Sequence, residues 1–586
     1  MTTLTRERAD TRAVPAGGGA RPQLTDRRTL RPPSARALLG LAIMGSFVAG
    51  GIWSLIELRV NIASLIVGYE NAVNFFTNRV GALQLPPLGE LAQMTVMTLA
   101  IVICATALGM VLSLILGLLA ATNTCRHAPV RAVARVIVIV MRAVPELIMA
   151  IIFIRVFGFG AAAVAGILAL GLNSIGMLGK FYTEAIEDHD DGPRQALETG
   201  GSVRLQQIFG ATLPGIMPAV VAHGLHRFDI NLRASVILGY VGLPGLGMEL
   251  SSALGVGNYS LGIGLALVIL GICIAAELLS GFLRMKLLGR SEPSRFGFFW
   301  LVGKMRRRYD ANRLEAPSGA RPAAWGERTT PPWNGERTSR FTYIGLFGLV
   351  ILASVWLADI DWIAFFHGLL SIPAVAGQFI PPSDGGIAER LWTTLLETIQ
   401  MGLAATFLGA LLALPVGVLA ARNVAPNRAV VQFFRTLIVV TRGVPELILA
   451  IILIVIMGMG AVAGVLALAV GAMGLLSKLV ADSIEETDIR VQQAIATGGA
   501  ARTQVFFAST VRQAAPAIVA HLFYQLDVNI RAATLLGIVG AGGVGYYLLN
   551  ANRVLQFEVV TYICLMIVGV ILLLEFITSV MRRLLR

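Results

Sequence analysis

Arg142-Ala143-Val144-Pro145-Glu146-Leu147-Ile148-Met149-Ala150-Ile151-Ile152 recurs 300 residues later as Arg442-Gly443-Val444-Pro445-Glu446-Leu447-Ile448-Leu449-Ala450-Ile451-Ile452. Nine of the eleven residues are identical. Both copies set an arginine, a proline and a glutamate inside a stretch apolar enough to cross a bilayer. The chain is therefore a tandem duplication of one membrane module. Ionised side chains are costly in hydrocarbon, so the repeated pair marks a candidate functional site.

Composition points the same way. The 586 residues are 56% hydrophobic and 14% charged, with a mean hydropathy of +0.75. Soluble domains carry about 25% charged residues, so the chain reads as a polytopic membrane protein. Its formal charge of +13 is concentrated: eight Arg against three acids precede Ala37, and thirteen Arg or Lys against five acids lie in Arg284–Arg340. Neither cluster has the aromatic interleaving or helix-turn-helix context of a nucleic-acid site, so no nucleic-acid partner is expected. Both read as cytoplasmic flanks under the positive-inside rule. The four cysteines, Cys104, Cys125, Cys273 and Cys564, have no metal-ligand or disulfide spacing, and no metal site is expected.

A spanning helix needs roughly 20 apolar residues. Such stretches fall at 37–57, 92–121, 132–157, 161–179, 214–240 and 259–283, and again at 341–358, 391–421, 432–457, 461–477, 516–538 and 557–580. The expected fold is an all-α polytopic membrane protein of two six-helix modules, 37–285 and 341–586. A disordered basic cytoplasmic tail (1–36) precedes them, and a Pro/Arg/Gly-rich cytoplasmic linker (286–340) joins them. The tail, the Arg126–Arg135 turn, the linker and the Arg582–Arg586 end fall on one side. The expected location is the plasma (inner) membrane, embedded in the lipid bilayer with both termini cytoplasmic. An even number of spans per half makes the modules parallel repeats.

The repeat offset is 300 through Gly158/Gly458 and 298 from Lys180/Lys478 onward. It then pairs His223/His521, Asp229/Asp527, Asn231/Asn529, Arg233/Arg531 and Gly239/Gly537. The segments 59–89 and 359–388 are only weakly alike and read as interfacial pieces on the outer face.

The most specific polar elements are cytoplasmic excursions at 182–212 and 480–514. They share Gln-Ala-x-x-Thr-Gly-Gly-x-x-Arg: Gln195, Ala196, Gly200, Gly201 and Arg204, then Gln493, Ala494, Gly498, Gly499 and Arg502. Glu184 and Asp482 open the two segments. A merely solvated loop does not need fixed spacing in both copies. A Gly pair permits a sharp change of direction between short helices, and together these features read as a docking surface for a cytoplasmic partner.

This pattern resembles the coupling loop of ABC-importer membrane subunits, Glu-Ala-Ala, three residues, Gly, nine residues, Ile, any residue, Leu-Pro. Gln195-Ala196-Leu197, Gly201 and Leu213-Pro214 fit that spacing, as do Gln493-Ala494-Ile495 and Gly499. Gln replaces the leading Glu in both copies, and Val511-Arg512 replaces Leu-Pro in the second. Arg-x-Val-Pro-Glu-Leu, Asp-(Ile/Val)-Asn-(Leu/Ile)-Arg-Ala and the series Gly239, Gly242, Gly245, Gly247 (Gly537, Gly540, Gly543, Gly545) are similar to phosphonate-type permeases. The likeness covers roughly 88–285 and 388–586. It implies the type I ABC-importer membrane fold, an extracytoplasmic binding protein that delivers an oxyanion, and two ABC ATP-binding subunits that carry ATP and Mg at the coupling loops. The chain itself carries no cofactor and is not expected to be an enzyme. Its nearest P-loop lookalike, Gly179-Lys180, is followed by Phe181 and has Ser174 where the first Gly is needed.

Pro145 and Pro445 are expected to kink their helices. A rise of about 1.5 Å per residue from Arg131 puts Arg142 roughly 16 Å into its helix. Candidate pathway residues are Arg142, Glu146, Asp229, Asn231, Arg233, Arg442, Glu446, Asp527, Asn529 and Arg531. Two readings stand: structural ion pairs that lock helices together, or a positive route suited to phosphate or phosphonate. In either, Glu146 pairs with Arg142 or Arg233, and Asp229 with Arg233 at i, i+4. His223 and His521 read as packing residues, and Arg155 as a side chain snorkelling to the interface. An ion-gradient-driven secondary transporter, or an importer of another small solute such as an amino acid, is the alternative function.

Overall fold

The computed structural model describes residues 35–78, 80–288 and 335–585, and these are helices and their connections. Residues 1–34 of the expected tail and 289–334 of the expected linker lie outside the described residues. Helix is what the sequence demands, since a backbone in hydrocarbon must bond to itself.

The first half runs α1 (Ala35–Glu57), α2 (Ile62–Asn78), α3 (Leu88–Ala120), α4 (Ala128–Ala143), α5 (Glu146–Phe157), α6 (Ala162–Glu187), α7 (Gly192–Thr199), α8 (Arg204–Gln207), α9 (Leu213–Leu238), α10 (Leu246–Gly255) and α11 (Tyr259–Leu288). The second repeats it as α12 (Gly335–Leu357), α13 (Trp362–Ala376), α14 (Ala388–Ala420), α15 (Arg428–Gly443), α16 (Glu446–Met457), α17 (Ala461–Glu485), α18 (Ile489–Thr497), α19 (Arg502–Val505), α20 (Arg512–Leu536), α21 (Val544–Arg553) and α22 (Phe557–Leu585). Among the described residues nine helices are long and apolar enough to span a membrane, and twelve if each of three bent pairs is one span.

The prolines do more than kink. Between α4 and α5 the axis turns by 93°, and between α15 and α16 by 79°. Val144 and Val444 are extended, as a residue before proline prefers, and Pro145 and Pro445 become the N-caps of new helices. With no amide hydrogen at the proline and an extended residue before it, the ladder cannot continue. The expected single kinked span is thus an elbow, and counting rise along a straight helix no longer fixes the depth of Arg142.

The first helix of each half packs on the other half. α1 lies against α14, and α12 against α3. Phe47 is buried with Phe523, Leu526 and Ile530 of α20. The segments after these helices, expected to be interfacial, are the helices α2 and α13, and they cross over as well, α2 onto α16 and α13 onto α5. One apolar core therefore runs through both halves, with Leu147, Ile148 and Leu265 beside Leu447, Ile448, Val560 and Ile563.

Candidate functional site: a charged seam and two short-helix loops

Arg142 lies in the last turn of α4 and Arg442 in the last turn of α15, each at the elbow. Gly176 of α6 and Gly474 of α17 sit against these turns, where a Cβ would press on the backbone of Arg142 and Arg442. Small residues there let the arginines reach the surface where the halves meet.

The arginines pair across that surface. Arg142 forms an ion pair with Glu575 of α22, and Arg442 lies 3.5 Å from Glu277 of α11. Glu277 and Glu575 are repeat counterparts at the offset of 298. The two bridges are thus pseudo-symmetric copies of one link between halves. Glu277 also takes Arg233 at 3.1 Å, so a single carboxylate joins α9 and α11 to α15 of the other half. On the opposite side Arg531 turns back to Asp527, four residues earlier, at 2.7 Å. It also donates Nη1 to the Arg142 backbone carbonyl at 2.8 Å.

These pairings correct three expectations. Arg142 meets Glu575, not Glu146. Arg233 meets Glu277, not Glu146 or Asp229. Asp229 accepts from the Ser280 hydroxyl at 3.0 Å, while the i, i+4 pair does form at Asp527–Arg531. Glu146 and Glu446 are the first residues of α5 and α16, where a negative charge complements the helix dipole. Arg155 does not simply snorkel: its Nε donates to Gln378 at 3.0 Å and its guanidinium lies 5.1 Å from the Phe557 ring centroid, both in the other half.

Asn231 and Asn529 are fully buried and do not line the seam. The Asn231 amide donates to Thr106 on α3 at 3.0 Å and Ser174 on α6 at 3.1 Å. Asn529 donates to Thr406 at 2.9 Å. Arg227, passed over in the sequence, is 6% exposed and donates to Ser174 at 2.8 Å and Asn173 at 2.5 Å. Its counterpart is Gln525. Glu277, Glu575 and Arg227 were legible only as charges recurring, or failing to recur, in apolar spans. With them, among the described residues five arginines (Arg142, Arg227, Arg233, Arg442 and Arg531) stand against six carboxylates (Glu146, Asp229, Glu277, Glu446, Asp527 and Glu575), so the seam is not simply positive. His223 stacks on Phe181 with ring centroids 4.7 Å apart, and His521 Nε2 lies 3.1 Å from the Ser483 hydroxyl.

The two loops form as short helices. Gln195, Ala196, Gln493 and Ala494 are exposed on α7 and α18, which bury none of their side chains. Gly201 and Gly499 both have φ of +81°, the left-handed region that favours glycine, and each turns the chain into α8 or α19. Arg204 and Arg502 open those helices; Arg204 Nη1 reaches the Thr124 carbonyl at 3.5 Å. Glu184 and Asp482 sit one turn from Lys180 and Lys478, at 3.7 and 3.6 Å. From α8 and α19 a π-helical turn (Ile208–Thr212; Phe506–Val511) leads straight into α9 and α20.

Each loop is anchored in the same way, by residues the motif did not include. Glu187 accepts from the Thr122 amide at 2.8 Å and from Arg135 at 2.9 Å. Glu485 accepts from the Arg422 amide at 2.7 Å and pairs with Arg435. In the first loop Arg194 holds Asp191 at 2.9 Å, which keeps that carboxyl below the ordinary aspartate range. Phe209 and Phe507, counterparts 65% and 68% exposed, project beside the loops. Large apolar side chains exposed beside polar loops mark candidate contact surfaces.

The family described as binding-protein-dependent transport system inner membrane component matches residues 113–290 and 413–586, once in each half. The chain belongs to this family. It is similar to the phosphate-import permease protein PhnE of Mycolicibacterium smegmatis, 36% identical over 87% of this chain and 88% of that one. The phosphite transport system permease protein PtxC of Stutzerimonas stutzeri is 35% identical over 41% of this chain and 86% of its own length. A probable D-methionine transport system permease protein of Pasteurella multocida is 27% identical over 32% of this chain and 94% of its own. The protein is accordingly a multi-pass inner-membrane permease of a binding-protein-dependent ABC importer, and not itself the ATPase. Such systems work with an ATPase and a binding protein, and membership sets aside the gradient-driven alternative.

Proposed function

We propose that this chain carries an anion of the phosphate, phosphonate or phosphite class into the cytoplasm along the seam between its halves. A binding protein delivers the anion at the outer face. Two ATP-binding subunits dock at the Gln195–Arg204 and Gln493–Arg502 loops, on the side that also holds both termini. The observation that carries this reading is the pair of Arg–Glu bridges across the seam, Arg142–Glu575 and Arg442–Glu277. Guanidinium groups held by exchangeable carboxylates at the moving interface offer an oxyanion the bidentate partner it needs. The likeness to phosphate and phosphite permeases supports the same class, and the methionine likeness reaches only a third of the chain.

The test is ATP-dependent uptake by proteoliposomes containing the chain with its binding protein and ATPase. Phosphate, phosphite, a phosphonate and methionine are offered separately and in competition. Uptake of a phosphorus oxyanion with methionine inert is the expected result. Methionine uptake alone would refute it.

A further inference from the structure

The two sides of the seam contain the same residues in two different pairings. On one side Arg233 has left Asp229 for Glu277, which it shares with Arg442. On the other Arg531 stays with Asp527 and reaches the Arg142 carbonyl, leaving the Arg142 side chain as the partner of Glu575. The elbows differ in step. The turn at Arg142, whose carbonyl Arg531 holds, is 93°, and the turn at Arg442 is 79°.

From this we infer that each Asp–Arg–Glu set, Asp229–Arg233–Glu277 and Asp527–Arg531–Glu575, is a two-position switch that sets the bend of the elbow in the opposite half, and that the two halves hold it in opposite positions. The exchange is physically inexpensive. The arginine always keeps one carboxylate, so the cation is not stranded at either end of the motion, and the Asp229 carboxylate that Arg233 has left accepts from the Ser280 hydroxyl at 3.0 Å. The backbone link is equally specific. A helix broken before proline leaves carbonyls of its last turn without amide partners, and Arg531 satisfies the one at Arg142. An arginine committed to the distant glutamate cannot also fill that role. The switch thereby connects α9 and α20, which lead directly out of the cytoplasmic loops, to elbows in the opposite halves.

The test needs neither substrate nor transport, so it stands or falls apart from the proposed function. The full chain in lipid nanodiscs, its native cysteines replaced by serine, is spin-labelled at Val133 and Phe159, which are exposed on either side of the first elbow. With α4 and α5 rising about 1.5 Å per residue, relaxing that elbow from 93° to 79° lengthens the separation by about 3 Å. Asp527→Asn should release Arg531 to Glu575 and produce that lengthening. Labels at Phe433 and Met459 report the second elbow, where Glu277→Gln should send Arg233 back to Asp229 and shorten the distance by about 3 Å. Cryo-EM maps of both variants read the arginine positions directly. Arginines that stay in place, or elbows whose distances do not change in whichever variant folds, would overturn the switch.

Discussion

Arg442, at the last turn of α15, stands 3.5 Å from Glu277 of the other half, and its repeat counterpart Arg142 meets Glu575 the same way. The most costly residues in the duplicated sequence are thus spent on the surface between the duplicates. A bridge buried within one half would move as a unit when the halves move. A bridge across them must break, bend or exchange. Four expectations follow from this placement and from the loops.

Reversing charge at the seam should abolish function without preventing assembly. Arg142→Glu with Arg442→Glu sets like charges against Glu575 and Glu277. Uptake should fall at least about tenfold, roughly 1.4 kcal/mol in barrier, while ATPase subunits still co-purify. Pairing Arg142→Glu with Glu575→Arg restores the attraction and should recover most of the loss that Arg142→Glu causes alone. Failure of that charge swap to rescue uptake would show that the position, rather than the pairing, matters.

Asn231→Leu and Asn529→Leu should act on stability and leave selectivity alone. Each amide ties α9 or α20 to hydroxyls on neighbouring helices from full burial. Removing it loses a buried inter-helix hydrogen bond, while Thr106 and Thr406 still donate to the Val102 and Gly402 carbonyls, at a cost of about 0.5–1.5 kcal/mol. Thermal unfolding in detergent should shift downward, with the uptake preference among phosphate, phosphite and phosphonate unchanged.

The two loop glycines should respond differently to alanine. Gly201 has φ of +81° and Gly200 a φ of −75°. Nothing lies within 4 Å of a Cβ at Gly201, so the penalty for Gly201→Ala is purely conformational, about 1 kcal/mol. Gly201→Ala should weaken retention of the ATPase on affinity resin, and Gly200→Ala should leave it nearly intact.

Phe209→Ser and Phe507→Ser test the exposed apolar surface beside the loops. Each should reduce ATPase retention several-fold, and the double variant should lose it, while the helical circular dichroism of the isolated chain stays unchanged. Equal effects of the two single variants would mean that both loops carry the partner alike, despite the Val511-Arg512 departure in the second.

Much of the architecture was written in one dimension. Apolar length sets the spans, the doubled Arg-x-Val-Pro-Glu-Leu sets the repeat, and Thr-Gly-Gly at fixed spacing places the loops, because each rests on properties local to the chain. Hydrophobic length and glycine's freedom at positive φ need no neighbour to express themselves. Partner choice is another matter. Arg142 and Glu146 are four residues apart, and only the near right angle at Pro145 decides that the arginine looks to Glu575 instead. Nor does any local pattern say that α1 packs on α14 of the other half, or that Asp229 and Asp527, alike in sequence, keep different company. Those outcomes depend on how two similar surfaces meet, and a charge buried between them takes whichever partner the packing brings within reach.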